Sequence, residues 1–113
     1  MRVDKYSFGE VIVEGKTYHQ DILIFPDRVL SWWRQRGHEV ALSDLTEALK
    51  VHPEVLVIGT GAYGVVRVLP EVKSSLAERG IDLIALPTAE ACRKYNELLA
   101  QGKRVVAALH LTC

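Results

Sequence analysis

Residues 55–64, VLVIGTGAYG, run from four consecutive apolar residues into a turn that contains three glycines. An apolar run rich in β-branched side chains has no polar face, so both of its sides must be covered by other parts of the chain. This pattern predicts a central strand of an α/β sheet over residues 55–58. The turn that follows lies at the carboxyl end of that strand, where open α/β sheets bind their ligands.

The three glycines of this turn, Gly59, Gly61 and Gly64, have the G-x-G-x-x-G spacing of the dinucleotide-binding fingerprint. That fingerprint requires a helix directly after the turn and an acidic residue at the end of the next strand. Residues 65–69, VVRVL, instead have the composition of an extended segment, and Asp82 begins the next predicted strand. The sequence therefore favours a tight structural loop over a nicotinamide or flavin site, and no cofactor is predicted.

Helix and strand patterns alternate on the carboxyl side of this loop. Pro70 opens a helix at a position that tolerates proline, and Thr88 is predicted to cap a later one. The predicted segments are a helix at 70–80, a strand at 81–86, a helix at 89–100 and a strand at 104–111. This alternation implies right-handed crossovers and a largely parallel sheet.

The amino-terminal half is rich in β patterns. Near-alternate apolar residues over 3–13 and 17–25 predict an antiparallel pair of strands. Residues 29–35 predict a further strand, on which the adjacent Trp32 and Trp33 face opposite ways, one into the core and the other at its edge or on the surface. Ser43 is predicted as the N-cap of a short helix that ends before residue 53.

Composition limits the classes of protein to consider. The chain has 113 residues, of which 49% are hydrophobic and 25% charged, which predicts a single folded domain over 1–113. Its formal net charge is zero, so we expect no nucleic-acid partner. It contains no apolar run of membrane-spanning length and no signal-peptide pattern at its start, and two cysteines do not suggest a disulfide scaffold. A cytoplasmic location is therefore expected, away from membranes.

Several stretches together resemble one family of small proteins. They are WR at 33–34 with GH at 37–38, VLVIGTG at 55–61, and the segment from GIDLIALPTAEACRKYN at 80–96 to HLTC at 110–113. The family includes the adipogenesis-associated single-domain protein and the mitochondrial NADH dehydrogenase (complex I) assembly factor 3. The resemblance implies a three-layer α/β domain, with a central mixed, largely parallel sheet, helices on one face, and an additional β layer plus a helix on the other.

The resemblance also implies a function. The family has no established enzymatic activity, so it supplies no catalytic residues. It implies a non-enzymatic assembly or protein-binding role, with another protein as the partner.

The alternative is a small-molecule or anion binder, for example of nucleotide or phosphate, or a small enzyme. Arg34 beside two indoles suits an anion or a stacked ring, but the favoured interpretation is a structural ion pair with Asp27 or Glu39. Thr60 has a hydroxyl that could orient a ligand or bond its own turn. The candidate ligand-binding residues are Arg34, His38, Gly59, Thr60, Gly61, Tyr63 and Arg67.

His110 and Cys113, near the end of the chain, are residue types that can ligate a metal ion. Residues three apart do not share a face of a strand, and two ligands are too few for a metal site. We therefore interpret them as a buried structural histidine and a terminal thiol, and predict no metal. Cys92 lies on the apolar stripe of its predicted helix and is expected in the core.

Overall fold

The computed structural model describes all residues from Met1 to Cys113. In chain order the strands are β1 (Val3–Ser7), β2 (Glu10–Val13), β3 (Lys16–Tyr18), β4 (Ile22–Ile24), β5 (Val29–Ser31), β6 (Glu39–Val40), β7 (Val55–Thr60), β8 (Arg67–Val68), β9 (Asp82–Leu86) and β10 (Val105–His110). The helices are α1 (Thr46–Lys50), α2 (Pro70–Glu78) and α3 (Thr88–Ala100), and a 3₁₀ turn at Leu42–Leu45 leads into α1.

The centre of the molecule is a five-stranded sheet with the order β5-β4-β10-β7-β9. The strand β7 pairs in parallel with both β10 and β9, while β4 is antiparallel to β10 and β5 to β4. The sheet is therefore mixed, with its parallel part formed by the second half of the chain. All six residues of β7 are buried, which confirms the predicted central strand.

Both faces of this sheet are covered, and each cover has its own core. Leu56 and Ile58 point into a core under α1, α2 and the parallel pair β6–β8, whereas Val55 and Val57 point into a second core under α3 and the antiparallel meander β1-β2-β3. Successive side chains of a strand point to opposite faces, so the continuous apolar run serves both cores. The expected three-layer arrangement is confirmed.

The amino-terminal half differs from the expectation in its pairing. The predicted strand over 17–25 is two strands, because β3 belongs to the meander and β4 to the central sheet. The strand predicted over 29–35 ends at Ser31, yet the two indoles separate as expected: Trp32 is buried and Trp33 is 85% exposed. The break between β3 and β4 places Asp21 directly before β4.

Two predicted helix caps are wrong. The capping side chain before α1 is that of Asp44 and not that of Ser43. Its carboxylate accepts hydrogen bonds from the backbone N–H of Ala41 at 2.8 Å and from that of Gln35 at 3.2 Å. Thr88 is the first residue of α3 and its side chain is fully buried. A charged acceptor makes the stronger hydrogen bond, which explains why Asp44 takes the capping role.

Candidate functional site

Asp21, Arg34 and His110 form a buried polar cluster at the carboxyl end of β10. His110 is the last residue of β10, and the antiparallel pairing of β4 and β5 brings the start of β4 and the end of β5 to the same place. The Oδ2 of Asp21 lies 2.7 Å from Nη1 of Arg34 and 2.7 Å from Nδ1 of His110. Its Oδ1 accepts the backbone N–H of Leu111 at 2.9 Å. Both oxygens of this carboxylate are therefore used.

The hydrogen bonds of this cluster set its charge state. Burial alone raises the pKa of Asp21, but the hydrogen bonds that it accepts from His110, the Leu111 N–H and Arg34 lower that pKa below its ordinary value. With Asp21 ionised, Nδ1 of His110 must carry the proton in their contact. Arg34 Nη2, 3.1 Å from the same Nδ1, then packs against it without a hydrogen bond. Nε2 of His110 and Nε of Arg34 are buried without a partner.

Several contacts hold the Arg34 side chain in place. Its guanidinium lies 4.8 Å from the ring of Trp32, its Nη2 donates to the carbonyl of Gly37 at 2.9 Å, and its side chain is only 5% exposed. The expected structural ion pair is present, but its partner is Asp21, and the predicted partners Asp27 and Glu39 pair with other arginines. The partner lies 13 residues away in sequence, where no local spacing points to it.

The glycine loop is tied to other parts of the protein through its backbone. Gly61 donates to the hydroxyl of Thr88 at 2.9 Å, and Ala62 donates to the carbonyl of Thr112 at 2.9 Å. Gly64 donates to the carbonyl of Gly61 at 3.2 Å, and Val66 to the carbonyl of Thr60 at 3.1 Å. An anion-binding loop offers several free N–H groups to its ligand, whereas these four are already used within the chain.

Thr88 joins this loop to the end of the central strand. Its hydroxyl donates to the carbonyl of His110 at 2.6 Å while accepting the N–H of Gly61, and its own N–H donates to the carbonyl of Gly61 at 3.0 Å. The hydroxyl approaches the backbone so closely that a Cβ on Gly59 would lie 2.9 Å from it. The first turn of α3 therefore locks the ends of β7 and β10 together.

The predicted ligand-binding residues divide into two groups. Gly59, Thr60 and Gly61 are buried beside His110, and Arg34 reaches the same histidine from the segment that follows β5. The other three, His38, Tyr63 and Arg67, have exposed side chains.

Only Arg34 of the predicted residues lines the cavity next to the polar cluster. This cavity, of about 230 Å³, is walled by Gln20, Asp21, Ser31, Trp32, Trp33 and Arg34. His38 and Arg67 meet through their backbones, because Arg67 donates to the His38 carbonyl at 2.9 Å, and the Arg67 side chain pairs with Glu39 at 3.4 Å.

The large exposed apolar side chains lie at this same edge. We call them the apolar rim: Phe8, Trp33, Tyr63 and Val65, exposed by 57%, 85%, 74% and 52%. Tyr63 and Val65 belong to the glycine loop, and Trp33 follows β5. Phe8 is in the β1–β2 turn, where the backbone N–H of Gly9 donates to the carbonyl of Leu111 at 2.9 Å. The rings of Phe8 and Tyr63 are 6.4 Å apart. The rim thus lies at the same edge as the polar cluster, the carboxyl edge of the parallel strands, and Trp33 lines the cavity beside Asp21 and Arg34.

No group of three or more His, Cys, Asp or Glu side chains is placed to hold a metal ion, and Cys92 is buried within α3. None of the helices combines the length and the apolar character needed to cross a bilayer.

A mixed sheet between a helical layer and a meander with a helix defines a class of small three-layer α/β domains. Within that class, the chain belongs to the family described as "Protein of unknown function (DUF498/DUF598)", whose pattern matches residues 3–110.

Curated relatives and solved structures agree with this assignment. NADH dehydrogenase [ubiquinone] 1 alpha subcomplex assembly factor 3 of Xenopus tropicalis is 27% identical over 111 residues, which cover 96% of this chain and 60% of the relative. An uncharacterized protein of Rhodobacter capsulatus is 30% identical, over 95% of this chain and 82% of its own. The crystal structure of a conserved hypothetical protein from Pyrococcus horikoshii matches with a TM-score of 0.90 and 31% identity, over 100% of both chains. The chain therefore spans only part of the assembly factor's length.

Proposed function

We propose that this chain is a non-enzymatic protein-binding module that assists the assembly of its partner and contacts it through the apolar rim. The observation that carries the proposal is that Phe8, Trp33, Tyr63 and Val65, the large hydrophobic side chains exposed on this surface, lie at one edge of the molecule. Scattered exposed apolar residues need no explanation, whereas a contiguous group marks an interaction site.

The composition and the support of the rim favour a protein as the partner. Tryptophan and tyrosine are enriched among the residues that dominate protein–protein binding, because they bury a large area with few rotatable bonds. Trp33 follows directly on the buried Trp32, whose indole N–H donates to the carbonyl of Asp44 at 2.9 Å, and precedes the fixed Arg34. The backbone that presents Trp33 is therefore anchored on both sides.

The names of the relatives support the same class of function. The Xenopus relative is named as an assembly factor of an NADH dehydrogenase subcomplex. We extend to this chain only the general role of assisting assembly, together with the expectations of a single domain over 1–113, a cytoplasmic location and no nucleic-acid partner.

Site-specific photo-crosslinking in cells of the organism that naturally makes this protein tests the proposal. A photoreactive side chain at Trp33 or Tyr63 should capture one protein that the same group at Lys103 does not, because Lys103 lies beyond α3, just before β10 begins and far from the rim. Trp33→Ala should then reduce the recovery of that protein from the Tyr63 position, since the two side chains share one surface. Equal capture from all three positions, or none from the rim, would remove the basis of the proposal.

A second candidate function, small-molecule or anion binding, has one observation in its favour. The cavity of about 230 Å³ beside Arg34 has polar and aromatic walls, and the buried Nε–H of Arg34 has no acceptor. Because a ligand that binds only the folded state raises the melting temperature, thermal shifts with nucleotides, phosphates and carboxylates test this function. A shift that is lost in Arg34→Lys and kept in Arg67→Lys would favour it over the protein-binding role, and no shift across the panel would set it aside.

A further inference from the structure

The cavity beside the polar cluster adjoins the apolar rim and has walls that hold each other in place. These walls come from the residues directly before β4 and from the end of β5 with the residues that follow it. The backbone N–H of Trp32 donates to the carbonyl of Asp21 at 2.9 Å, and Ser31 pairs with Ile22. Trp33, the most exposed member of the rim, is also a wall of this cavity. The cavity and the rim therefore belong to one surface.

The two charged walls of the cavity differ in how much of them solvent reaches. The side chain of Asp21 is 20% exposed, whereas that of Arg34 is 5% exposed. The guanidinium of Arg34 is covered by the ring of Trp32 and donates to Asp21 and to the carbonyl of Gly37. The charge that a ligand meets in this cavity is therefore mainly that of the carboxylate.

This carboxylate can accept a further hydrogen bond. Its Oδ1 accepts the backbone N–H of Leu111 at 2.9 Å, while Oδ2 serves Arg34 and His110. The two oxygens of a carboxylate offer about four acceptor positions in total, so one remains on Oδ1. The exposed side chains of Gln20 and Ser31 add an amide oxygen and a hydroxyl oxygen to the same cavity. Its polar walls thus suit a ligand with several donors.

The exposed indole of Trp33 favours the same kind of ligand. Tryptophan has the aromatic face that attracts cations most strongly, and the Trp33 side chain is 85% exposed. The ring of Trp32, by contrast, already lies against Arg34. A guanidinium group combines a flat face that stacks on an indole with several N–H donors that fit a carboxylate. Trp33 and Asp21 together therefore match a guanidinium better than an anion.

The size of the cavity indicates a single side chain as its occupant. Its volume is about 230 Å³. Sites for small molecules usually measure about 300–1,000 Å³, so this cavity is smaller than most of them. Arginine is among the side chains that contribute most to protein–protein binding, where such side chains fill pockets on the partner.

We propose that this cavity receives an arginine side chain of the partner protein, whose guanidinium donates to Oδ1 of Asp21 and stacks on Trp33. This inference rests on the proposed function, because it names the side chain that anchors the partner beside the apolar rim. Arg34 stays on the buried side of the same carboxylate, which then serves one guanidinium from within the chain and one from the partner. The sign of the bound charge is opposite to that of an anion site.

Titration with small derivatives tests the charge preference of the cavity without the partner. The indole N–H signal of Trp33 in nuclear magnetic resonance spectra should shift with N-acetylarginine amide. It should stay in place with N-acetylcitrulline amide, which has nearly the same shape without the charge, and with N-acetylglutamate amide. No shift with the arginine derivative, or an equal or larger shift with either of the other two, would overturn the proposal.

Substitution of Gln20 changes the charge of the cavity wall and leaves the polar cluster intact. Asp21 itself is unsuitable, because its loss would also unpair Arg34. Gln20→Lys should raise the Kd of the arginine derivative by about fivefold and Gln20→Glu should lower it by a similar factor, as expected for one exposed charge nearby. Gln101→Lys, on an exposed glutamine just beyond the far end of α3, is the matched control and should leave the Kd unchanged. Equal Kd values in the two Gln20 variants would contradict the proposed site.

Photo-crosslinking from Tyr63 separates this inference from the proposed function. If both are correct, Tyr63 captures the partner, and Gln20→Lys reduces the recovery whereas Gln101→Lys does not. Capture that is equal in wild type, Gln20→Lys and Gln20→Glu would overturn the arginine anchor and leave the protein-binding role standing. If Tyr63 captures nothing, the protein-binding role fails, and with it the assignment of the arginine to a partner, even where the titration shows that the cavity binds a guanidinium.

Discussion

At the scale of single residues, Gly61 occupies the most constrained backbone position of the glycine loop. Its φ is +100°, and a Cβ there would lie 2.8 Å from the carbonyl oxygen of Thr112. We expect Gly61→Val to lower the free energy of unfolding by well over the roughly 1 kcal/mol of a simple glycine replacement, because strain and overlap with backbone add together. Denaturant unfolding of the variant measures this.

Gly15→Ala separates the two causes. Gly15 also has positive φ, at +79°, but open space surrounds the place of its Cβ. The loss of stability in Gly15→Ala should therefore come from backbone strain at positive φ alone. Gly61→Ala should lose more stability than Gly15→Ala, because its Cβ also overlaps the Thr112 carbonyl. Equal losses would mean that the close approach of Thr112 contributes nothing.

Asp21 should make the free energy of unfolding depend on pH in the acidic range. Its pKa is lower in the folded protein than its ordinary value, so its contribution is complete above the unfolded pKa of about 3.9 and is lost as the pH falls through the folded one. Asp21→Asn should cost about 3 kcal/mol near neutral pH, because it leaves Arg34 buried without its counter-ion.

Unfolding at a series of pH values checks this, with Asp27→Asn as the control on an exposed carboxylate. The loss of stability on acidification should be shallower in Asp21→Asn than in the wild type. The control should stay within about 0.5 kcal/mol of the wild type. A variant that keeps the wild-type acid dependence would show that another group causes it.

At the scale of secondary-structure elements, β7 is covered on both sides, and Ile58 at its middle is fully buried. Ile58→Asp should abolish folding, since a buried carboxylate without a partner costs several kcal/mol out of a total stability of about 5–15 kcal/mol. Ile58→Val is the matched control and should cost about 0.5–1.5 kcal/mol. Circular dichroism melts would contradict the prediction if Ile58→Asp unfolds cooperatively near the wild-type temperature.

Elements with a clear period could be predicted from the sequence, and short ones could not. α2, α3, β7, β9 and β10 carry apolar patterns over five or more residues, so their places follow from local sequence. The pair β6–β8 has two residues in each strand, which is too short for a period to exist. Which sheet β3 and β4 join depends on distant partners, and their own patterns do not distinguish the two.

The candidate site depends even more on distant contacts. Gly61 and Arg34 stand out in the sequence as residue types with special backbone or charge properties. The contact of Asp21 with His110 joins residues 89 positions apart, and that of Gly61 with Thr88 joins residues 27 apart. Neither pair has a spacing that a local pattern detects, so the sequence predicted residues near the site without the cluster that holds it together.

At the scale of the whole molecule, the two thiols report on folding as a unit. Cys92 is buried under the meander, and burial raises the pKa of its thiol to about 12, whereas Cys113 is exposed. We expect a thiol reagent to label Cys113 at once and Cys92 only when the protein unfolds, because the thiolate is the reactive form. Labelling of Cys92 should therefore accelerate with denaturant in step with global unfolding.

Cys113→Ser is the control and should leave no fast-reacting thiol. Two fast thiols in the folded wild type would mean that α3 separates from the meander without unfolding of the rest.

The position of β10 in the sheet has a consequence for how the protein is made. This strand lies between β4 and β7, so it joins the antiparallel and parallel parts of the sheet, yet its residues are translated after those of every other strand. While residues 1–104 emerge from the ribosome, β4 and β7 lack the strand that lies between them in the folded sheet. The sheet can close only once residue 110 has left the exit tunnel. The order of the strands therefore requires the sheet to be completed in one late step, instead of strand by strand along the chain.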